Sequence, residues 1–185
     1  KLNKDAFAIY GLSESEKIQE IIDGKIGSFL HVLDTEEANY LQGFTLDTRL
    51  KIPLIIGIDA IHGNAMVRGT TVYPSPISIA ATFNNDFAYD VAKQSAREMR
   101  ATGSQWTFMP NIDVARDPRW GRVGETFGED PFMVGEMGKA MIMGFQGEDF
   151  GQPNNVIACA KHMIAGSEPL NGLNISPMDV SERSL

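Results

Sequence analysis

The feature that most constrains the fold is an alternation of apolar segments with helical patterns along the chain. Four short apolar runs predict strands, and they cover residues 26–33, 53–58, 106–109 and 156–160. Each run is apolar at consecutive positions, which is typical of a strand buried on both faces. Strands of this kind separated by helices form parallel sheets covered by helices. The sequence therefore predicts an α/β fold.

The helical segments between these strands carry start and stop signals. A capping box, Ser13 with Glu16 three residues later, begins the first helix, and Gly24 ends it. Asp34 or Thr35 begins the second. The third runs from 84 or 85 to 102, and the fourth lies within 133–147. Small residues on the third helix and a methionine stripe on the fourth predict core packing. The long stretch 62–83 is predicted to be irregular but packed.

Polar residues directly follow three of the predicted strands. Asp59 follows the second strand, a charged loop follows the third, and Lys161 with His162 follows the fourth. The carboxyl ends of parallel strands meet at one edge of a sheet, and ligands bind at that edge. These residues are therefore predicted to face one site.

The loop after the third strand mixes both signs of charge with Trp120 and Phe127. Its sequence from 106 to 130 is WTFMPNIDVARDPRWGRVGETFGED, and its charged members are Asp113, Arg116, Asp117, Arg119, Arg122, Glu125, Glu129 and Asp130. This composition is unlike that of a solvated linker. Guanidinium groups and flat aromatic rings suit a sugar, which offers hydroxyl pairs and an apolar ring face. The alternative is that the charged residues only form structural ion pairs within the loop.

Charge and composition exclude several partners. The net charge of -8 disfavours nucleic acid, and no apolar run approaches the roughly 20 residues of a membrane span. The single cysteine, Cys159, excludes a disulfide framework within the chain and is predicted to be buried. The sequence predicts no cofactor and no metal. Residues 1–17 lack the apolar core of a signal peptide and an initiator Met, so an upstream segment is expected.

The last residues predict a further element. Within 174–185, Asp179 or Ser181 can act as the N-cap of a helix. The further turns of such a helix are not among these residues. Four strands are half of a (β/α)8 barrel, which takes roughly 250 residues. We therefore expect the first four βα units of such a barrel, partnered by a missing C-terminal part of the same chain.

Three segments together resemble glycoside hydrolase family 3, the β-glucosidase family. They are GIDAIHG at 57–63, RDPRWGRVGETFGEDP at 116–131 and AKH at 160–162. The middle motif is long and specific, whereas the other two would be weak alone. The final GSEPLNGLNISPMDVSERSL also resembles bacterial members, so that the resemblance covers nearly the whole chain in order.

The resemblance implies a fold, an activity and a set of ligand contacts. Residues 1–185 would be part of the family's N-terminal TIM-like barrel domain, truncated after strand 4. The family removes terminal non-reducing β-D-glucosyl residues from glucosides or oligosaccharides with retention. Asp59, Arg122, Lys161 and His162 would hold hydroxyls of the terminal glucose, and the Lys-His region often carries non-proline cis peptides. We interpret His31 as structural and His62 as an orienting hydrogen bonder.

The resemblance also implies that the catalytic carboxyl groups lie elsewhere. A retaining glycosidase uses a nucleophile and an acid/base about 5 Å apart. In the family the nucleophilic aspartate follows a later barrel strand, and the acid/base glutamate usually lies beyond the barrel. Asp113, Glu125, Glu129 and Asp130 match bracing positions of the motif. We therefore expect no catalytic residue in this sequence and no turnover by it alone.

Several alternatives stay open at this point. A non-catalytic carbohydrate-binding protein could keep the pocket and lack the carboxylates, and a β-xylosidase is possible. The family's β-N-acetylglucosaminidases carry a histidine in a KHFPGHG-like stretch, and KHMIAGSEP here has no second histidine. A phosphate-binding barrel would need a Gly-rich loop at a helix N-terminus, which we do not find. The resemblance favours a periplasmic or secreted protein, with a cytoplasmic one possible.

Overall fold

Three parallel strands form the sheet, and their order in the sheet is their order in the chain. The structure, a computed structural model, describes residues 13–149 and 151–185. Strand β1 is Ser28–Leu30, β2 is Ile55–Ile58 and β3 is Trp106–Thr107. β1 pairs with β2 through Ser28 and Ile55, and β2 pairs with β3 through Gly57 and Trp106. The predicted parallel α/β arrangement is therefore present.

The predicted fourth strand is reduced to isolated bridges. Ile157 pairs with Trp106, and Lys161 pairs with Asn111, both in parallel orientation. Backbone bonds on both sides of this segment, such as Thr107 N to the Ile157 carbonyl at 2.8 Å, keep it beside β3. The segment occupies the predicted place in the sheet. It lacks a regular ladder, since β3 beside it is only two residues long and Pro110 has no N–H to donate.

Five α-helices connect these strands within the described residues. They are α1 (Glu14–Ile22), α2 (Thr35–Gly43), α3 (Pro76–Ala80), α4 (Asn85–Ala101) and α5 (Pro131–Gln146), with 3-10 turns at Phe44–Asp47, Val123–Glu125 and Leu170–Gly172. The Ser13–Glu16 capping box is present, and Asp34 and Asn84 cap α2 and α4 as predicted. The long stretch after β2 is packed as expected, since it buries Val67 and Ile79, but it is not irregular throughout, because it contains the short helix α3.

One face of the sheet carries the core. Ile58 packs with residues of α3, α4 and α5, whereas Ile56 packs with residues of α1 and α2. Helices α4 and α5 approach closely at Gly144, where an added Cβ would lie 2.7 Å from the Cβ of Ala92. The glycine therefore permits the contact between the two helices that cover the sheet.

The other face of the sheet is open, which differs from the prediction of strands buried on both faces. Leu30, Ile55 and Ile157 are 56%, 40% and 37% exposed. Gly57 also lies on this face, because a Cβ there would meet the rings of Trp106 and Phe108. In a closed barrel the corresponding face is the interior, which side chains from all eight strands fill together. Four βα units cannot fill it by themselves.

Two further predictions were wrong or differ in detail. Cys159 is half-buried rather than buried, because it belongs to the irregular fourth segment. Residues 174–185 form no helix. The Ser181 carbonyl accepts bonds only from Ser184 N and Leu185 N, which makes a single turn.

Among the described helices, none is long and apolar enough to cross a membrane. Most of the segment considered for a signal peptide, residues 1–12, lies outside the described residues.

Candidate active site

Asp59 is the centre of a contact network at the carboxyl edge of the sheet. It directly follows β2, and Nζ of Lys161 lies 2.8 Å from its Oδ1. Nε2 of His31, which directly follows β1, lies 3.0 Å from its Oδ2. All three side chains are partly buried, with 30% of Asp59, 16% of Lys161 and 29% of His31 exposed. The ends of β1, β2 and the fourth segment therefore meet at one carboxylate.

The surroundings of Asp59 favour its ionised form. Partial burial opposes ionisation, but hydrogen bonds and charge interactions with Lys161 and His31 outweigh it and hold the pKa of the Asp59 carboxyl below its ordinary value. Asp59 is thus an acceptor for hydrogen bonds near neutral pH. Each carboxylate oxygen keeps a lone pair that the two protein contacts do not use.

A second pair, Asp113 and His162, lies beside the first. Oδ2 of Asp113 is 2.7 Å from Nδ1 of His162, and only 2% of the Asp113 side chain is exposed. An ionised carboxylate only accepts, so Nδ1 carries a hydrogen, and in the neutral form of the ring Nε2 keeps a lone pair. Nη1 of Arg122 lies 3.5 Å from that Nε2. The Lys161–His162 peptide bond is cis, as the resemblance implied.

Arg122 is fixed by its own carboxylate partner. Its Nε and Nη2 donate to Glu125 at 3.0 and 2.7 Å, a two-pronged ion pair that leaves Nη1 directed toward His162. The hydrogen bonds to Glu125 raise the pKa of Arg122 above its usual range. Burial opposes this shift, and the charges of Glu125, Asp113 and Asp59 add to it. The guanidinium also lies 5.9 Å from the ring of Trp120.

The loop that carries Arg122 is folded around Trp120. The indole is 1% exposed, and its Nε1 donates to Oδ1 of Asn174 at 2.8 Å. Phe127 is likewise buried. A loop anchored by two buried aromatic rings holds its arginine in a defined place, which a solvated linker could not do.

The structure brings together all four of the residues predicted from the sequence. Asp59 contacts Lys161, Arg122 contacts His162, and Lys161 and His162 are neighbours in the chain. Sequence reasoning missed one member, because His31 was interpreted as a structural mid-strand residue. β1 instead ends at Leu30, and His31 has a left-handed φ of 56° and contacts Asp59. Only its position at a strand end could have indicated this.

Other charged residues of the loop have bracing or capping contacts, as expected for Arg116, Asp117, Arg119 and Asp130. Arg119 pairs with Asp117 at 2.7 Å, and Arg116 lies 3.5 Å from Glu168. Asp130 caps α5 by accepting from Phe132 N and Met133 N. His62 orients its own loop instead of the Asp59 network, because its Nδ1 lies 3.0 Å from the Tyr73 carbonyl.

A cavity of about 330 Å³ is lined by Asp113, Lys161 and His162 among others, whereas Asp59, Arg122 and His31 do not line it. The network itself combines carboxylate acceptors, cationic donors and an imidazole, a set that suits a ligand with several neutral hydroxyl groups. Over residues 13–149 and 151–185, no group of three His, Cys, Asp or Glu side chains could hold a metal ion.

Comparison with known proteins gives consistent results. Residues 10–185 match the glycosyl hydrolase family 3 N terminal domain. A β-xylosidase of Formosa agariphila is 40% identical over 175 residues, 90% of this chain and 24% of its own length. A periplasmic β-glucosidase of Salmonella typhimurium is 34% identical over 172 residues, 92% of this chain and 22% of its own length.

The solved structure of a β-glucosidase from Listeria innocua superposes with a TM-score of 0.84. It is 34% identical, and the match covers 98% of this chain and 25% of that protein. The match confirms the predicted fold class, the first βα units of a TIM-like barrel. This chain spans about a quarter of the length of the relatives that it matches.

Proposed function

The chain belongs to glycosyl hydrolase family 3, and from this premise we propose that it forms the glucose-binding half of the active site of a retaining, exo-acting β-glucosidase. The enzyme would hydrolyse terminal non-reducing β-D-glucosyl residues. The observation that carries the proposal is the convergence of Asp59, Arg122, Lys161 and His162 at one edge of the sheet. These residues come from three loops and are far apart in the sequence.

The chemistry of the four side chains suits one pyranose ring. The free lone pairs of Asp59 accept from hydroxyl groups, and Lys161 and Arg122 donate to them. His162 presents Nε2, which accepts from a hydroxyl when the ring is neutral. Bonds that involve a charged partner are roughly twice as strong as neutral ones. Those that tighten as the sugar approaches its oxocarbenium-like transition state contribute to catalysis as well as to binding.

The nucleophile and the acid/base are proposed to come from outside these 185 residues. Each carboxylate of the network is already committed, Asp59 to Lys161 and His31, Asp113 to His162, and Glu125 to Arg122. A carboxylate held by a hydrogen-bond donor at under 3 Å is a poor nucleophile, because bond formation would have to break that contact. We therefore propose that a longer polypeptide completes the site.

A β-xylosidase is a second candidate, because the relative with 40% identity carries that name. A xylose unit lacks only the hydroxymethyl group of glucose, so the same four contacts suit both sugars. A β-N-acetylglucosaminidase is disfavoured by Gly166, which occupies the position of the second histidine in KHFPGHG. A Cβ at that position would lie 3.3 Å from Oδ1 of Asp113 and 3.4 Å from the Cβ of His162. Any larger side chain there would crowd this pair.

The test uses the natural polypeptide that carries this chain. We expect it to hydrolyse p-nitrophenyl β-D-glucopyranoside, with β-glucose as the first anomer seen by proton NMR. A higher kcat/KM for the β-D-xylopyranoside would favour the second candidate. Binding of glucose without hydrolysis of either substrate would indicate a non-catalytic carbohydrate-binding protein. The 185-residue chain by itself should hydrolyse neither substrate, and turnover would mean that one of its own carboxylates is the nucleophile.

A further inference from the structure

We propose that His31 is a positioning residue that fixes the carboxylate of Asp59 for sugar binding. This inference rests on the proposed function, since it concerns the same site. Nε2 of His31 lies 3.0 Å from Oδ2 of Asp59, and Nζ of Lys161 lies 2.8 Å from Oδ1. The two oxygens of one carboxylate are therefore held by different strand ends, and rotation of the carboxylate would break at least one contact.

The hydrogen-bonding state of His31 follows from its partner. The pKa of Asp59 is lowered, so its carboxylate is an acceptor only, and Nε2 of His31 must carry the hydrogen. The backbone N–H of Asp59 also lies 3.3 Å from Nε2. A nitrogen that carries a hydrogen cannot accept from this group as well, so the shorter contact, to Oδ2, determines the tautomer.

The backbone around His31 places the ring at this position. The N–H of His31 donates to the Gly57 carbonyl at 2.8 Å, which continues the pairing of β1 with β2. The residue then takes a left-handed φ of 56°, and the next side chain, Val32, is buried. Positive φ is uncommon for a non-glycine residue and is kept where the surroundings require it. The ring is thus held by strand pairing before it and by core packing after it.

The expected consequence of losing His31 is a mobile Asp59. Lys161 alone would remain, and its ammonium group sits on a long flexible chain that can follow a rotating carboxylate. The lone pairs that receive the sugar hydroxyls would then lose their fixed directions.

The experiment measures kcat/KM for p-nitrophenyl β-D-glucopyranoside in the natural polypeptide that carries this chain. His31→Ala should lower kcat/KM about tenfold or more, as expected for a lost bond to a charged partner. His31→Gln, which keeps an N–H donor near the position of Nε2, should recover most of this loss. The control is His62→Ala, whose side chain contacts the Tyr73 carbonyl outside the network, and it should stay near wild type.

A double-mutant cycle shows whether His31 acts through Asp59. In an Asp59→Asn background, His31→Ala should cost little more, since the carboxylate that it positions is gone. Equal losses in both backgrounds would overturn the inference, as would failure of His31→Gln to improve on His31→Ala while its thermal unfolding matches wild type. If Asp59→Ala lowers kcat/KM and His31→Ala does not, the inference fails but the proposed function stands. If the wild type hydrolyses no glucoside, both fail.

Discussion

Nζ of Lys161 lies 2.8 Å from Oδ1 of Asp59, although 102 residues separate the two in the chain. The contact joins the end of β2 to the segment that runs beside β3, with the whole charged loop between them in sequence. Parallel strands bring their carboxyl ends to one edge, so residues that follow different strands become neighbours. The candidate site is therefore a product of topology more than of any single motif.

Arg122→Ala should lower kcat/KM for a nitrophenyl β-glucoside by roughly thirtyfold, about 2 kcal/mol of transition-state stabilisation. Arg122→Lys should recover little, because a single ammonium group cannot hold Glu125 through two nitrogens and still direct a third to His162. Arg119→Ala is the matched control in the same loop, since Arg119 pairs with Asp117 away from the network. Similar losses for the two alanine variants would indicate that only loop folding was disturbed.

Asp113→Asn should weaken hydrolysis by changing the state of His162. The buried carboxylate keeps the hydrogen of His162 on Nδ1, and an amide can equally present a donor there. We expect a loss of about 1.5–3 kcal/mol in transition-state stabilisation. Nitrogen-15 NMR of the imidazole should show a change of tautomer. Asp117→Asn is the control, and an unchanged His162 spectrum in Asp113→Asn would contradict the assigned role.

The sequence was sufficient for the order of elements and for the residues that follow the strands. Helix caps at Ser13, Asp34 and Asn84 depend on local signals, and the structure has them as predicted. Asp59 and Lys161 were found because they follow apolar runs. Such features depend on neighbours in the chain, which the sequence displays directly.

The remaining differences depend on partners that are distant in the sequence. His31 and Asp59 are 28 residues apart in the chain. No local pattern shows that β1 ends at Leu30 and leaves His31 outside the strand, free to contact Asp59. The fourth segment forms single bridges beside β3, which is itself only two residues long, and local patterns do not reveal how long a partner strand is. The open sheet face was not predicted, because consecutive apolar residues indicate that a strand is buried on both faces but do not identify the segments that cover each face.

Stability should depend on pH through Asp59. Its pKa is lower in the folded state than the ordinary value of 3.8, so its ionised contacts stabilise the fold above that value. The contribution is lost as the pH falls through the lower, folded-state pKa. Chemical denaturation of wild type and Asp59→Asn should therefore differ most near pH 7 and converge as the pH falls below the folded-state pKa of Asp59. A difference that grows on acidification would contradict this sign.

Gly144→Ala should destabilise the fold through the contact between α4 and α5. The added Cβ would overlap the Tyr89 carbonyl oxygen and lie 2.7 Å from the Cβ of Ala92. The clash is with the backbone and Cβ of α4, so one of the two helices would have to shift. Overpacking of this kind costs about 1–3 kcal/mol. Gly135→Ala in the same helix has open space and should stabilise by about 0.5–1 kcal/mol. Urea denaturation measures both, and equal effects would mean that the helices do not meet at Gly144.

The central claim is that four residues from three separate loops bind one sugar ring. A crystal structure of the natural polypeptide soaked with glucose tests this most directly. The account predicts one pyranose at the carboxyl edge of the sheet, with its hydroxyl groups within hydrogen-bond distance of Asp59, Arg122, Lys161 and His162. A bound glucose elsewhere on the molecule, with these four side chains still contacting only one another, would contradict it.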